Sequence, residues 1–262
     1  MPSEADFSDR IGVITGASAG IGQALVEQLH AAGARLVINA RRRDRLQDIA
    51  RRLGEDRIAV FAGNAGDQHV IDQMLDSAAN RYGRQADLIV ANAGRGLRGD
   101  VLDSDASVWE DLFHVLTIGA ARLMRDGTKR MESLAPTHGN EGEPPKLPRD
   151  LVVIGSTVGR NLSPFSSFYG SAKAATHMLT ESLRRVAAPK GIRVSLIEPG
   201  IVKTEFQGAA GYDPVSFGQF METISPPLSA DDVARSIMFL LSQPPGVHIN
   251  ELMIRPTRQQ YP

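Results

Sequence analysis

Seven short apolar runs recur along the chain, and segments with helical periodicity separate them. The runs are 10-RIGVIT-15, 35-RLVINA-40, 57-RIAVFA-62, 87-DLIVANA-93, 151-LVVIGS-156, 192-IRVSLIEP-199 and 251-ELMIRP-256. Helical patterns lie between them, near 20–32, 43–53, 67–82, 104–133, 166–188 and 230–242. Near-continuous apolar strands that alternate with helices predict an α/β fold, with a parallel sheet covered on both faces. Two stretches break the rhythm. The first, 134–150, holds four prolines and two glycines, which forbid a helix or a central strand. It reads as an exposed loop, because the βα pattern resumes at once. The second, 205–229, is irregular and follows the sixth run. Ligands of open parallel sheets bind beyond the carboxyl ends of the strands, so 205–229 reads as a lid or substrate loop.

The bulk properties exclude several classes. A length of 262 residues suits one large α/β domain or two small ones. A net charge of -1 gives no reason to expect nucleic acid. With no cysteine, disulfides, thiolate zinc sites and a cysteine nucleophile are excluded. The polar start MPSEADFSDR is no signal peptide, and no apolar run approaches the ~18 residues of a membrane span. A soluble, cytoplasmic protein is expected.

Several motifs carry chemistry. The first run leads into 15-TGASAGIG-22, where glycines permit a tight turn. Backbone N–H groups there and the following helix N-terminus suit a pyrophosphate. An acid that reads a ribose 2′-hydroxyl is expected after the second strand. That place reads 38-INARRRDRL-46, with uncharged Asn39 and Ala40 followed by Arg41 and Arg42. Arginine suits a 2′-phosphate, so NADP is expected over NAD. A solvated basic helix start is the plain alternative, although a helix N-terminus disfavours cations. The fourth run ends in 91-ANAG-94 and the fifth in 156-STVG-159. Ser156 could bond a substrate oxygen, and serine is also a common turn residue. In 166-SSFYGSAKAATHM-178, Tyr169 and Lys173 share one helix face. A lysine beside a phenol is expected to draw its pKa below the usual value of about 10. Such a tyrosine could move a proton. Finally, 199-PGIVKT-204 makes a sharp exit from the sixth strand, and Thr204 could bind a cofactor amide or phosphate.

The chain resembles the short-chain dehydrogenase/reductase family. TGASAGIG, ANAG, Ser156, YGSAK and PGIVKT follow in order over nearly the whole chain. The stretch 250-NELMIRPTRQ-259 is also similar to NADP-preferring members that act on small hydroxy compounds and aldehydes. The resemblance implies a single-domain Rossmann-type, doubly wound parallel sheet. It implies hydride transfer between NADP(H) and a carbonyl or secondary alcohol, without a metal. Tyr169 would be the general acid/base, Lys173 would tune it and hold the ribose, and Ser156 would orient the substrate oxygen. Gly16, Ser18, Ile21 and Gly22 would line the pyrophosphate turn, with Arg41 and Arg42 at the 2′-phosphate. Asn64 and Ala65 would meet the adenine, and Asn92, Ala93 and Gly94 would flank the ribose. Pro199, Gly200, Val202 and Thr204 would hold the carboxamide side. A homo-oligomer, tetramer or dimer, is implied through helices near 104–133 and 166–188, where 170-GSAKAA-175 allows close packing.

One position departs from the family. Trp109 and Gly119 fit a pattern that usually has an asparagine between them, holding a relay water; here that position is Leu116. Thr117 is one residue away but is rotated by about 100° on an α-helix. His177, one turn beyond Lys173, reads as a packing residue rather than a proton shuttle. Two alternatives remain beside the NADP-dependent enzyme. One is an NAD-preferring dehydrogenase; the other is a cofactor-binding sensor or scaffold impaired by Leu116. RNA binding through 41-RRRDR-45 lacks interleaved aromatics.

Overall fold

The computed structural model describes residues 6–134 and 147–261. Each apolar run forms a strand: β1 (Ile11–Thr15), β2 (Arg35–Ala40), β3 (Ile58–Ala62), β4 (Leu88–Ala91), β5 (Arg149–Ile154), β6 (Ile192–Pro199) and β7 (Glu251–Ile254). They make one sheet in the order β3-β2-β1-β4-β5-β6-β7. Every pairing is parallel. The order reverses between β1 and β4, and a crevice opens there beyond the carboxyl ends of the strands.

Seven principal helices and two short ones accompany the strands among the described residues: α1 (Gly20–Ala31), α2 (Arg43–Leu53), α3 (Gln68–Tyr82), α4 (Trp109–Phe113), α5 (Ala120–Glu132), α6 (Ser167–Ala187), α7 (Phe206–Ala209), α8 (Pro214–Thr223) and α9 (Ala230–Leu241). Successive strand residues point to opposite faces. Ile14, Ile38 and Val90 pack with Leu25 of α1, Leu46 of α2 and Ile237 of α9. Val13, Val37 and Ile89 pack on the other face, with Ile71 and Met74 of α3 and Leu123 of α5. Helices therefore cover both faces, as the continuous apolar runs require.

Three sequence expectations need correction. The loop expected at 134–150 ends earlier, because Arg149 and Asp150 already belong to β5. Its residues 135–146 lie outside the described residues. Asp150 is held in the strand by Arg10, 2.8 Å away, and by Arg193, at 2.6 Å. Next, 104–133 is not one α-helix. A 3-10 turn at Ala106–Val108 leads into α4, a π-helical segment spans His114–Gly119, and α5 follows. Thr176 Oγ1 donates to the Leu116 carbonyl at 2.9 Å, where the ladder widens. Gly119 lets this segment pass close to the 65–66 turn, where an added Cβ would lie 2.7 Å from the Ala65 carbonyl. Finally, 205–229 is not irregular, since it contains α7 and α8. Asp213 caps α8 through the Ser216 amide at 2.8 Å, with Pro214 opening that helix.

The amino ends of the strands carry a buried ionic lattice. Arg10 pairs with both Asp87 and Asp150, and Arg193 binds Asp150 through two nitrogens, at 2.6 and 2.9 Å. The Ile11 amide also donates to Asp87, at 3.1 Å. These groups fasten the end of the sheet opposite the crevice. Among the described residues, no helix is long and apolar enough to cross a membrane.

Candidate active site

A cleft of about 440 Å³ runs along the carboxyl ends of the strands. Gly16, with φ +67°, starts the turn after β1 and takes a conformation that side chains disfavour. The turn ends at α1, whose N-cap residue Ala19 makes no side-chain hydrogen bond. The first amides of α1 therefore have no intrahelical or capping partner at the cleft, a cradle that fits a pyrophosphate. Ser18 and Ile21 line it. Gly22 does not line it. An added Cβ there would lie 2.4 Å from the Gly16 carbonyl and 2.5 Å from Asn92 Nδ2, so Gly22 permits the turn to close on the helix.

Arg41, Arg42, Asn64 and Ala65 line the end of the cleft beside β2. Arg42 Nη2 donates to Ser18 Oγ at 3.2 Å, which places the guanidinium against the glycine turn. Its Nη1 lies 3.0 Å from Glu205 Oε2. Arg45 pairs with the same carboxylate at 2.7 Å. Asn39 is fully buried, with its Nδ2 donating to the Phe61 carbonyl at 2.9 Å. The Asn64 side chain closes its own turn, accepting from the Gly66 amide at 3.0 Å.

Ser156, Tyr169 and Lys173 meet at the other end. Ser156 caps the 3-10 turn Thr157–Gly159, accepting from the Val158 amide at 3.4 Å. Its hydroxyl also bonds the Tyr169 phenol. Lys173 Nζ lies 5.9 Å from the Tyr169 ring centroid and donates to the Ile154 carbonyl at 2.6 Å. The expected fall in the phenol pKa is not found. Burial pushes the Tyr169 phenol well above its usual value; the Ser156 bond opposes this and Tyr212 adds to it. Burial likewise pushes Lys173 down to about 8. Desolvation outweighs the spacing argument because Tyr169 is enclosed by an aromatic neighbour: the Phe206 ring stands edge-on to it at 5.4 Å. His177 is also more than a packing residue, since its Nε2 accepts from the Ser156 amide at 3.2 Å.

The remaining motif residues divide into lining and bracing groups. Ala93 and Gly94 line the middle of the cleft. Asn92 lines it too, but its Nδ2 ties β4 to the glycine turn by donating to the Thr15 and Gly16 carbonyls, at 2.9 and 3.2 Å. Leu116 lines the cleft as well, with its side chain packed against Leu97, Leu112 and Ala172. Thr117 turns away and donates to the Ala172 carbonyl at 3.1 Å. Pro199, Gly200, Val202 and Thr204 line the cleft at the end of β6. Thr204 Oγ1 accepts from the Phe206 amide at 3.2 Å, starting α7.

Sequence reading missed Arg95 and Asp111, and within the expected loop 205–229 it did not single out Glu205, Phe206, Tyr212 and Phe217; all six line the cleft. Tyr212 bonds Ser166, and its ring lies 5.1 Å from that of Phe217. The aromatic residues of 205–229 were the available signal: three phenylalanines and a tyrosine crowd a segment otherwise rich in small and polar residues.

Comparison with known proteins identifies the family. An uncharacterized oxidoreductase of Staphylococcus aureus is 28% identical over 250 residues, covering 95% of this chain and 98% of that protein. The X-ray structure of an alcohol dehydrogenase from the archaeon Thermococcus sibiricus, complexed with 5-hydroxy-NADP, superposes with a TM-score of 0.78 at 26% identity. That match covers 97% of this chain and 99% of the other. The closed form of a serine dehydrogenase complexed with NADP+ gives a TM-score of 0.82 at 26% identity, covering 96% of both chains. Residues 10–214 match the family model for short chain dehydrogenases. With most of its length matching that model, and a seven-stranded parallel sheet behind the cleft, the chain belongs to the short-chain dehydrogenase family.

Proposed function

We propose that this protein transfers hydride between a nicotinamide cofactor, NADP in preference to NAD, and a small carbonyl compound or secondary alcohol. The observation that carries the reading is the meeting of Ser156, Tyr169 and Lys173 in the cleft that also holds the glycine turn and Arg42. The cofactor supplies or accepts the hydride when bound. Tyr169 delivers the proton to the carbonyl oxygen as the hydride reaches carbon. Its raised pKa keeps the phenol protonated, the form that reduction needs. Ser156 holds the substrate oxygen beside that phenol. Lys173, with Nζ at the Ile154 carbonyl, places a cation behind the ring, where it stabilises the phenolate left after transfer. In the alcohol direction each step reverses.

NADP preference rests on the Arg42 guanidinium held against the glycine turn by Ser18, with no acid at Asn39 or Ala40. The 5-hydroxy-NADP in the Thermococcus sibiricus alcohol dehydrogenase and the NADP+ in the serine dehydrogenase support it. We also assign 205–229 as the substrate loop, because Phe206, Tyr212 and Phe217 wall the Tyr169 end. Association of copies through α6 fits its exposed Met178 and Val186. Fluorescence titration tests the cofactor reading. NADPH is expected to bind about 10- to 100-fold tighter than NADH. Arg42→Ala should remove that margin. Equal affinities in the wild type would overturn it. Tyr169→Phe should lower turnover by ~10² with cofactor affinity unchanged, and normal turnover would overturn the proton-transfer role.

A further inference from the structure

We infer that Glu205 is an internal stand-in for the 2′-phosphate of the cofactor, tethering α7 over Tyr169 until a 2′-phosphorylated ligand displaces it. The inference rests on the NADP reading and adds a competing residue and a coupling to it. Arg41, Arg42 and Arg43 crowd the N-terminus of α2, where the helix dipole already presents positive charge. Cations in that place need an anion. Asp44 in the first turn answers part of that charge, and the Glu205 carboxylate adds to it, 3.0 Å from Arg42 Nη1, with its two oxygens 2.7 and 3.0 Å from Arg45 Nη1. The second Arg42 terminal nitrogen reaches Ser18 on the glycine turn, at 3.2 Å. One guanidinium therefore joins the pyrophosphate turn to the lid.

A phosphate dianion seeks the same donors as this carboxylate and accepts more hydrogen bonds. Once it occupies Arg42, Glu205 faces a like charge and keeps only Arg45, an exposed pair too weak to hold it against that repulsion. The next residue is Phe206, whose ring covers Tyr169 at 5.4 Å, and Thr204 on the other side starts α7. Departure of Glu205 therefore frees the segment that closes the substrate end. A cofactor without the 2′-phosphate leaves the tether in place. In this way Glu205 weakens binding of every 2′-phosphorylated ligand while making lid release conditional on it.

The test uses the full chain and two fragments, 2′,5′-ADP and 5′-ADP, with binding read by calorimetry and lid motion by amide hydrogen exchange. Wild type should prefer 2′,5′-ADP. Glu205→Gln should tighten 2′,5′-ADP by about three- to tenfold and leave 5′-ADP unchanged. In the wild type, 2′,5′-ADP should speed exchange at residues 206–212, and 5′-ADP should not. In Glu205→Gln, exchange there should be fast before any ligand is added. If Arg42→Ala abolishes the preference but Glu205→Gln leaves it unchanged or lowers it, Glu205 is no competitor. The inference then falls and the NADP reading stands. If wild type binds both fragments equally, the NADP reading fails and the inference with it. Exchange that does not respond to 2′,5′-ADP overturns the release of the lid.

Discussion

The Ser156 amide donates to His177 Nε2 across 3.2 Å, so a side chain of α6 anchors the serine at the end of β5. Gly155 and Gly159 make room for the imidazole, which lies 2.3 and 2.5 Å from where their Cβ atoms would be. Only a neutral imidazole can accept this bond. Burial, followed by the charges of Lys173 and Arg160, pushes His177 down to about 4. The unfolded chain, with histidine near its ordinary 6.5, then binds more protons between those two values. Stability from this group is complete above about pH 6.5 and is lost as pH falls toward 4, by roughly 3 kcal/mol in all. Urea unfolding at about pH 7 and about pH 5 should show the loss, and His177→Gln should show less of it.

Lys173 should behave as a functional group that costs stability. Burial lowers its pKa from 10.5 to about 8. Below about 8 the folded state carries the full penalty of a buried cation, and the penalty is relieved as pH rises toward 10.5. Lys173→Met removes that penalty and the bond to the Ile154 carbonyl together. The expected net effect near neutrality is a gain of about 1–2 kcal/mol that shrinks toward alkaline pH, with turnover and cofactor affinity both reduced. Unfolding curves against pH, beside steady-state kinetics, check both halves.

Leu116→Asn places an amide among Leu97, Leu112 and Ala172. It should cost about 2–4 kcal/mol of stability. Hydride transfer in a single turnover should stay within about twofold, because the proton donor and lysine are untouched. Stopped-flow NADPH oxidation with an aldehyde panel decides this. A wild type inert even in single turnover, beside an active Leu116→Asn, would favour a cofactor-binding sensor instead.

Gly22→Ala should be far more damaging than an ordinary helical substitution. Its methyl would meet the Gly16 carbonyl at 2.4 Å and Asn92 Nδ2 at 2.5 Å, both part of the turn itself. Loss of measurable binding of NADPH and NADH alike, with a cooperative unfolding transition retained, is the expected result by calorimetry and circular dichroism.

Much of this was legible because it is local. Each apolar run found its strand, and the glycine turn, Tyr169 and Lys173 fell where strand-end and helix-face spacing put them. What escaped depends on residues distant in sequence. The phenol pKa could not be read from a lysine one turn away, because Phe206 and Tyr212 reach it from beyond β6, in a different segment of the chain. Glu205 meets Arg42 across 163 positions, and no local pattern announces that contact. The π-helical segment likewise involves Thr176, a residue of another helix.

The lattice of Arg10, Asp87, Asp150 and Arg193 has a kinetic consequence. Arg10 finds Asp87 across 77 positions and Asp150 across 140, so the lattice closes only after β1, β4 and β5 lie side by side. Contacts of such range form late, once shorter-range pairings have lowered the cost of closing the chain. The lattice is therefore expected to form after the folding barrier. Loosening it through Asp150→Asn should leave the refolding limb of a chevron nearly unchanged and speed unfolding. On that outcome, the groups that fasten the sheet opposite the cleft act as a brake on unfolding, setting how long a folded copy lasts rather than how quickly it forms.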